Sequence, residues 1–497
     1  MKLTAAVGWL GRRGMLVSLL LVTGVTLFAV GLMMFVAAGV SLLYSEFSDA
    51  RAISAAAALT AAVGGLLWWS VETPNTLTTR AGFAGVGIAW LMMSVFGTLP
   101  YLFTGAIPDV TDAFFETVSG FTTTGASLLA DPGQLAHGML FWRSLTQWLG
   151  GMGIIVMFVA VLPLLGVGGV ELARAESPGA NPDRLTPRFQ DTAKRLWMVY
   201  VMLTCVQVLM LLWAGDMDLF QAVNHSLTTM STGGFGTEAT SIAGFSPYTQ
   251  WVIIVFMALA GVSFSLHYRA LLRPTEYLRQ EEFRVYFVVV LASAAWLSIA
   301  LANQGSAWEQ AVRDGAFTAV SMVTTTGYST ADFGLWVPPL QVLLLILMTL
   351  GGMAGSTAGG IKSFRLKVLA NTAFTELRRV IHPRGMFLIR LNRRPLTINM
   401  IRGIFSFFAL YVFLLCAGMV LFTSIELAFG SSDLVTSISA VVASLGNIGP
   451  GLGEVGPTAN YAMVSIPGKW FLSLLMIVGR LEILPILVLF VPSVWRR

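Results

Sequence analysis

The sequence predicts an all-α membrane protein in which two leading transmembrane helices precede four pseudo-symmetric units. Each unit is a long helix, a short helix, a polar turn and a second long helix, set around one shared axis. Three observations predict it. Of 497 residues, 56% are hydrophobic and 11% charged, whereas soluble chains carry charge on roughly a quarter of their residues. Apolar runs of the about 20 residues that span hydrocarbon recur along the whole chain. The polar stretch Ser119-Gly-Phe-Thr-Thr-Thr-Gly-Ala-Ser127, enclosed by apolar segments, has three looser copies downstream. Hydrocarbon cannot satisfy the backbone of such a turn, so it must face water or line an internal cavity.

Lys2, Arg12 and Arg13 before an apolar run imitate a signal peptide, but Met15–Ser45 carries no charge and no clear cleavage site. That is too long for a signal core and reads as a retained first span, Met15–Tyr44. Ala52–Val71 is the second, reached through a short loop bearing Glu46 and Asp49. Residues 1–80 thus form a leading helix pair.

The first unit, residues 81–170, has Ala81–Thr104, then Thr111–Phe121, then Thr122-Thr-Thr-Gly125, then Gly138–Leu165. About eleven residues at 1.5 Å each cover about 16 Å, so Thr111–Phe121 cannot cross a bilayer. The second unit, 171–275, has Leu196–Trp213, Leu219–Met230, a turn at Ser231–Gly236 and Gln250–Leu266. The third, 276–395, has Val285–Ala302, Gln310–Val323, a turn at Thr324–Ser329 and Val337–Leu350. The fourth, 396–497, has Ile404–Phe422, Asp433–Leu445, a turn at Gly446–Gly451 and Trp470–Leu489. Gly125, Gly233, Gly327 and Gly449 recur about every 100 residues, which implies four quasi-equivalent walls.

Ten crossings put both termini on one side. The loops on that side carry Arg174, Arg184, Arg188 and Lys194, then Arg269, Arg273, Arg279 and Arg284, then a run of ten basic residues from Lys362 to Arg402. The opposite loops carry Asp109, Asp112, Asp131, Asp216, Asp218, Glu238, Asp332, Glu426, Asp433 and Glu454. Basic loops stay inside, so the expected orientation in a cytoplasmic membrane is N-in and C-in, with the polar turns opening outward. Cys205 and Cys416 fall within apolar runs, where packing rather than a disulfide is expected.

A dehydrated monovalent cation crosses a membrane when backbone carbonyls replace its water shell. Glycine supplies the required dihedrals and threonine a hydroxyl ligand. Thr123-Thr-Gly-Ala, Ser231-Thr-Gly-Gly, Thr325-Thr-Gly-Tyr and Asn447-Ile-Gly-Pro meet that requirement. The short helices before them aim negative dipole ends at the axis. Gly351–Gly360 carries five glycines with Ser356 and Thr357 and interrupts an apolar run. Irregular backbone at that depth lines a cavity or lies inside protein. Arg480, near the middle of the last run, marks function or a buried pair. Arg143 and Glu116 read as braces of the outer mouth, with snorkelling open to the first and cation attraction to the second. The four histidines have no ligand-like spacing, and His225 reads as a structural hydrogen bonder. No catalytic constellation, P-loop or dinucleotide fingerprint appears, so neither an enzyme nor a chain with its own organic cofactor is expected.

Ser119–Ser127, Phe141-Trp-Arg-Ser-Leu-Thr-Gln-Trp-Leu-Gly-Gly-Met-Gly153, His225–Phe235 and Gly351–Lys362 together resemble the Trk/Ktr/HKT superfamily of potassium transporters, and the leading helix pair resembles its TrkH branch. The resemblance implies a K+ filter at Thr123, Thr124 and Gly125; at Ser231, Thr232 and Gly233; at Thr325, Thr326 and Gly327; and at Asn447, Ile448 and Gly449. Glycine rather than serine at Gly125 implies potassium over sodium. It also implies an intramembrane gate of Gly351, Gly352, Gly355, Ser356, Thr357, Gly359 and Gly360, held by Arg480 through the loop's carbonyls or hydroxyls. A homodimer is implied, and the basic stretch Lys362–Arg402, containing a helix-like Phe374–Ile381, becomes the docking surface of a TrkA-type cytosolic ring that binds NAD or ATP. Anionic membrane lipid is the plainer partner of those basic residues, and nucleic acid is not expected. The expected function is potassium uptake through a channel-like filter. The competing class is a proton- or sodium-coupled carrier with alternating access, which also uses broken helices.

Overall fold

The computed structural model describes residues 2–71, 79–160, 186–392, 394–430 and 432–490. The chain is mostly helical. Helices α1 (Lys2–Leu43) and α2 (Phe47–Trp69) form an antiparallel pair, turned by Ser45 in the left-handed region at φ 62°. The pair packs backbone to backbone: a β-carbon on Gly31 would stand 2.6 Å from the Ala61 nitrogen, and one on Gly64 would meet the Phe28 nitrogen. Such closeness at small residues is how helices attract one another where lipid removes the hydrophobic drive.

After α3 (Thr79–Gly97) and α4 (Leu99–Thr104) comes the short α5 (Val110–Phe121), then α6 (His137–Ala160). The order recurs as α7 (Thr186–Ala214), α8 (Leu219–Met230), α9 (Pro247–Ala260) and α10 (Phe264–Leu272). The one-turn α11 (Glu276–Arg279) leads into α12 (Glu281–Asn303), α13 (Trp308–Val323) and α14 (Pro338–Thr349). Helix α15 (Ser363–Ile381) and a two-residue-per-strand hairpin, β1 (Arg390–Leu391) with β2 (Arg394–Pro395), precede α16 (Ile398–Phe429), α17 (Leu434–Gly446), α18 (Ile466–Arg480) and α19 (Leu484–Leu489). Three of the four short helices start on an aspartate cap. Asp109 accepts from the Asp112 amide at 3.0 Å, Asp218 from Gln221 at 2.6 Å within a full capping box, and Asp433 from Thr436 at 2.8 Å. Each cap satisfies an orphan donor and places negative charge at the positive helix end.

Six of the described helices are long and apolar enough to cross a membrane, and α9 with α10 makes a seventh if its 100° bend is one broken span. The expected run after the third turn, Val337–Leu350, is found as α14 to within one residue at each end, but those after the second and fourth turns are interrupted. Gln250–Leu266 breaks after Ala260. Trp470–Leu489 stops at Arg480, where Glu482 and Ile483 take φ of 56° and 67°. A break exposes amides and carbonyls that need partners, and a neighbouring segment takes them. The Met353 amide donates to the Gly261 carbonyl at 2.8 Å, and the Phe264 amide to the Gly355 carbonyl at 3.0 Å.

Helix α15 is longer than the expected Phe374–Ile381, because apolar Phe364 and Val368 pack with Leu391 and Ile404 in a small second core. Cys205 and Cys416 face outward from their helices rather than inward, although neither is bonded to the other. Both sit in helices whose outward faces are as apolar as their inward ones, so hydropathy gave no side. The loop bearing Arg174 and Arg184, and with it the boundary between the first two units, lies outside the described residues.

Overpacking a backbone-to-backbone contact costs about 1–3 kcal/mol. Gly64→Leu is therefore expected to lower the thermal midpoint of the detergent-solubilised protein, whereas Gly39→Leu, at a glycine with nothing within 4 Å of its would-be β-carbon, is expected to leave it unchanged. Fluorescence-detected size-exclusion after a heating series measures both.

Candidate functional site

The four short helices end in turns of one geometry. Thr123, Thr232, Thr325 and Asn447 stand in the left-handed region at φ 53°, 54°, 57° and 56°, and two residues later Gly125, Gly234, Gly327 and Gly449 do so at 81°, 77°, 82° and 102°. A non-glycine residue held there costs about 1–3 kcal/mol and persists only where its surroundings fix it.

The pattern moves the register of the second turn. Its left-handed glycine is Gly234, so Thr232-Gly233-Gly234 corresponds to Thr123-Thr124-Gly125, and Ser231 stands with Thr122 and Thr324 at the helix cap. The triplet read from the sequence, Ser231-Thr232-Gly233, is one residue early. Two adjacent glycines satisfy a sequence pattern equally well, and the dihedrals separate them.

The turns meet. The place a β-carbon would occupy on Gly125 is filled by the Gly233 carbonyl oxygen, on Gly234 by that of Thr326, and on Gly327 by that of Ile448. On Gly449 it lies 2.7 Å from the carbonyl oxygen of Thr124. Turn one touches two, two touches three, three touches four and four touches one, so the contacts close into a ring. The Asn447 amide nitrogen ties the last junction, donating to Thr124 Oγ1 at 3.0 Å and to the Met476 carbonyl at 2.8 Å. Thr123 Oγ1 and Asn447 Oδ1, at equivalent positions, are buried without a hydrogen-bond partner among the described residues.

Residues 350–362 cross one side of this ring. Leu350 and Ile361 pair in a single parallel bridge, so the segment leaves and returns at one place. The Gly359 amide donates to Thr325 Oγ1 at 2.6 Å, and Thr357 Oγ1 donates to the Met230 carbonyl at 3.0 Å. A β-carbon on Gly359 would strike the Gly446 carbonyl oxygen, one on Gly352 would stand 3.0 Å from Ser356 Oγ, and Gly351 and Gly360 abut the segment's own backbone. Gly355 and Gly360 have φ of 77° and 60°, and Ser356 Oγ donates to the Met353 carbonyl at 2.7 Å. Arg480, 2% exposed, donates to the Thr357 carbonyl at 2.6 Å and to the Gly150 carbonyl at 3.2 Å. It thus clamps the segment to α6, as expected for the first contact and unforeseen for the second. Glu482 does not pair with Arg480 but with Arg365 of α15, at 2.5 Å, and Arg365 also lies 3.8 Å over the Phe407 ring. Sequence reasoning missed this pair, whose members lie more than a hundred positions apart.

Two more braces hold the side of the ring away from residues 350–362. Arg143 Nε donates to Glu116 Oε1 at 2.7 Å and Nη1 to the Gly236 carbonyl at 2.9 Å, while its guanidinium covers Phe235 at 3.6 Å. Glu116 also accepts from Ser127 Oγ and the Leu128 amide, each at 3.0 Å. Arg143 and Glu116 are both buried and paired, so neither snorkelling nor a free charge applies. His225 bridges Tyr328 and Thr237 at 3.3 and 3.1 Å, as a structural hydrogen bonder does. On the other side of the ring from residues 350–362, a vestibule is floored by Gly125, Gly234, Gly327 and Pro450 and walled by residues that include Glu238 and Asn460.

Long apolar helices gathered around a buried ring of carbonyls define a multi-pass helical membrane protein organised about a polar axis. A family model described as a cation transport protein, TrkH, matches residues 50–497. The Trk system potassium uptake protein TrkH of Escherichia coli strain K12 is 37% identical over 471 residues, 92% of this chain and 95% of its own length. TrkG of the same strain, also titled a Trk system potassium uptake protein, is 33% identical, with 87% and 89% covered. The crystal structure of the potassium transporter TrkH from Vibrio parahaemolyticus matches with a TM-score of 0.88 at 33% identity, covering 97% of this chain and 99% of that one. This chain belongs to the TrkH family of cation transport proteins, and it is not an enzyme.

Removing one member of a buried ion pair costs about 3–5 kcal/mol, because the other charge is left uncompensated, whereas replacing both is often neutral. Glu116→Leu is expected to destabilise the protein strongly, and Glu116→Leu combined with Arg143→Met to recover most of the loss. A double-mutant cycle on thermal midpoints in detergent measures it.

Proposed function

We propose that this chain mediates potassium uptake across a cytoplasmic membrane through a channel-like filter formed by the ring of turns. The observation that carries the reading is the closed cycle of contacts: four segments, each far from the next in sequence, present carbonyls and glycines to one axis in the order of the chain. Such an array can replace the hydration shell of a monovalent cation. The converging carboxyl ends of α5, α8, α13 and α17 add negative dipole potential. Buried, unpartnered oxygens on Thr123 and Asn447 fit ligands at the inner end of the filter. In this reading the binding residues are Thr123, Thr124 and Gly125, Thr232, Gly233 and Gly234, Thr325, Thr326 and Gly327, and Asn447, Ile448 and Gly449.

The same reading makes the chain four pore units behind two extra helices, with the vestibule outside and both termini inside. Residues 350–362, carrying Gly351, Gly352, Gly355, Ser356, Thr357, Gly359 and Gly360, are its gate. Their hydrogen bond to Thr325 and the Arg480 clamp support a closed position directly beneath the filter. Helix α15 follows the gate without a break, and its exposed Arg378 and Arg379 suit a cytosolic partner of the kind a Trk system implies, a nucleotide-binding ring of TrkA type. A homodimer accords with the family.

A serine β-carbon at Gly125 would combine a positive φ with a collision at the Gly233 carbonyl. Gly125→Ser is therefore expected to cut the ratio of rubidium to sodium uptake in proteoliposomes at least about tenfold, or about 1.4 kcal/mol; an unchanged ratio would remove Gly125 from the filter.

Arg480→Gln loses the charge-assisted bonds to the Thr357 and Gly150 carbonyls, each worth roughly 1.5–3 kcal/mol. Basal rubidium flux without any cytosolic partner is expected to rise, and a folded variant with unaltered flux would contradict the clamp.

A further inference from the structure

The ring is not chemically fourfold: the hydroxyl pair of turns one and three is missing from turn two and from turn four, where Gly446 and Ile448 stand at those positions, and in turn two another side chain fills the place. In turns one and three the hydroxyl at the helix cap meets the hydroxyl two residues on: Thr122 Oγ1 to Thr124 Oγ1 at 2.8 Å, and Thr324 Oγ1 to Thr326 Oγ1 at 2.8 Å. In turn two the corresponding residues are Ser231 and Gly233, and no second hydroxyl exists. Gly233 is not forced by its backbone, since it is absent from the left-handed residues. It is forced by a neighbour. A β-carbon there would lie 2.8 Å from Gln147 Nε2 and closer still to the rest of that carboxamide.

Gln147, fully buried on α6, fills the space and makes two bonds to turn two. Its Nε2 donates to the Gly233 carbonyl at 2.7 Å, and its Oε1 accepts from the Phe235 amide at 3.1 Å. The Gly233 oxygen is the one that abuts Gly125. Helix α6 comes this close because Gly150 and Gly151 bring it against Phe121 and Ser231, where β-carbons would collide.

We propose that Gln147 is a specificity-determining positioning residue of this transporter. Reaching in from the first unit, its carboxamide stands in for the threonine side chain that turn two lacks and fixes the direction and charge of the Gly233 carbonyl. That carbonyl shares its lone pairs with an amide donor, so turn two is the weaker of the cation's ligands on that level, and the first and second turns are coupled through one side chain. The proposal rests on the reading of the ring as the potassium filter.

The test is competitive uptake of rubidium against potassium, sodium and lithium by purified, reconstituted protein, comparing selectivity ratios at matched incorporation. Gln147→Leu, similar in volume, and Gln147→Glu, which keeps the acceptor but loses the donor, are both expected to lower the rubidium-to-sodium ratio about tenfold, the effect of about 1.4 kcal/mol. Gly233→Thr alone is expected to abolish selective uptake by collision. Combining it with Gln147→Ala is expected to restore the ratio to within a few-fold of the parent, because the introduced hydroxyl comes within reach of Ser231 as Thr124 does of Thr122. That rescue is a readout a merely structural glutamine would not give. Gln147→Leu and Gln147→Glu at the parent ratio, or a double variant no better than Gly233→Thr, would overturn the proposal. Gly327→Ser, on turn three, where the atoms nearest a β-carbon belong to Ile448 and Pro450 and not to Gln147, separates the two claims. If it relaxes selectivity while the Gln147 variants do not, only the role of Gln147 falls; if it too is silent, the ring is not the filter.

Discussion

Everything in this molecule depends on carbonyl oxygens standing where side chains would otherwise be. At Gly125, Gly234, Gly327 and Gly449 the neighbouring turn's backbone occupies the β-carbon position, so the four turns are in contact only because four residues have nothing to displace. A methyl group at any one of them would both strain its own dihedrals and push a carbonyl out of the ring. The rest of the fold serves this arrangement: a short helix delivers each turn to the ring, and long apolar helices isolate it from lipid.

Isolation has a cost that the structure meets with paired polar groups. Arg143 and Glu116 brace the first and second turns, Asn447 ties the fourth to the first, and Arg480 ties residues 350–362 to α6. The bonds to Gly236, Thr124, Thr357 and Gly150 join segments far apart in the chain, so these segments hold one another in place rather than each being rigid alone. The broken helices belong to the same logic. Freed backbone groups at Gly261 and Phe264 become the docking points of the segment that crosses below.

Much of this was legible in the sequence. Hydropathy located the long helices, and the too-short segments before each Gly/Thr turn located the short ones to within about two residues, the usual uncertainty of helix ends. The site was legible where chemistry is locally encoded, as in Thr123-Thr-Gly125 and Thr325-Thr-Gly327. It was not legible where the determinant lies elsewhere in the chain. Gly233 and Gly234 are indistinguishable until Gln147 is seen against the first, and the Arg365–Glu482 pair has no local signal at all. The breaks after Ala260 and Arg480 were hidden for a related reason, since an apolar run of adequate length reads as continuous whether or not a tertiary partner interrupts it.

The contact between α18 and α5 carries an implication for biosynthesis. Lys469 on α18 is bonded to Asp112 near the start of α5 at 2.7 Å, across 357 positions. A ribosome adding about 5–20 residues per second takes about 20–70 s to supply the second partner after the first has emerged. Through that interval the opening quarter of the protein sits in the bilayer with a polar edge awaiting its neighbour, so a truncated product would be expected to offer itself to membrane quality control rather than to persist as a partial assembly.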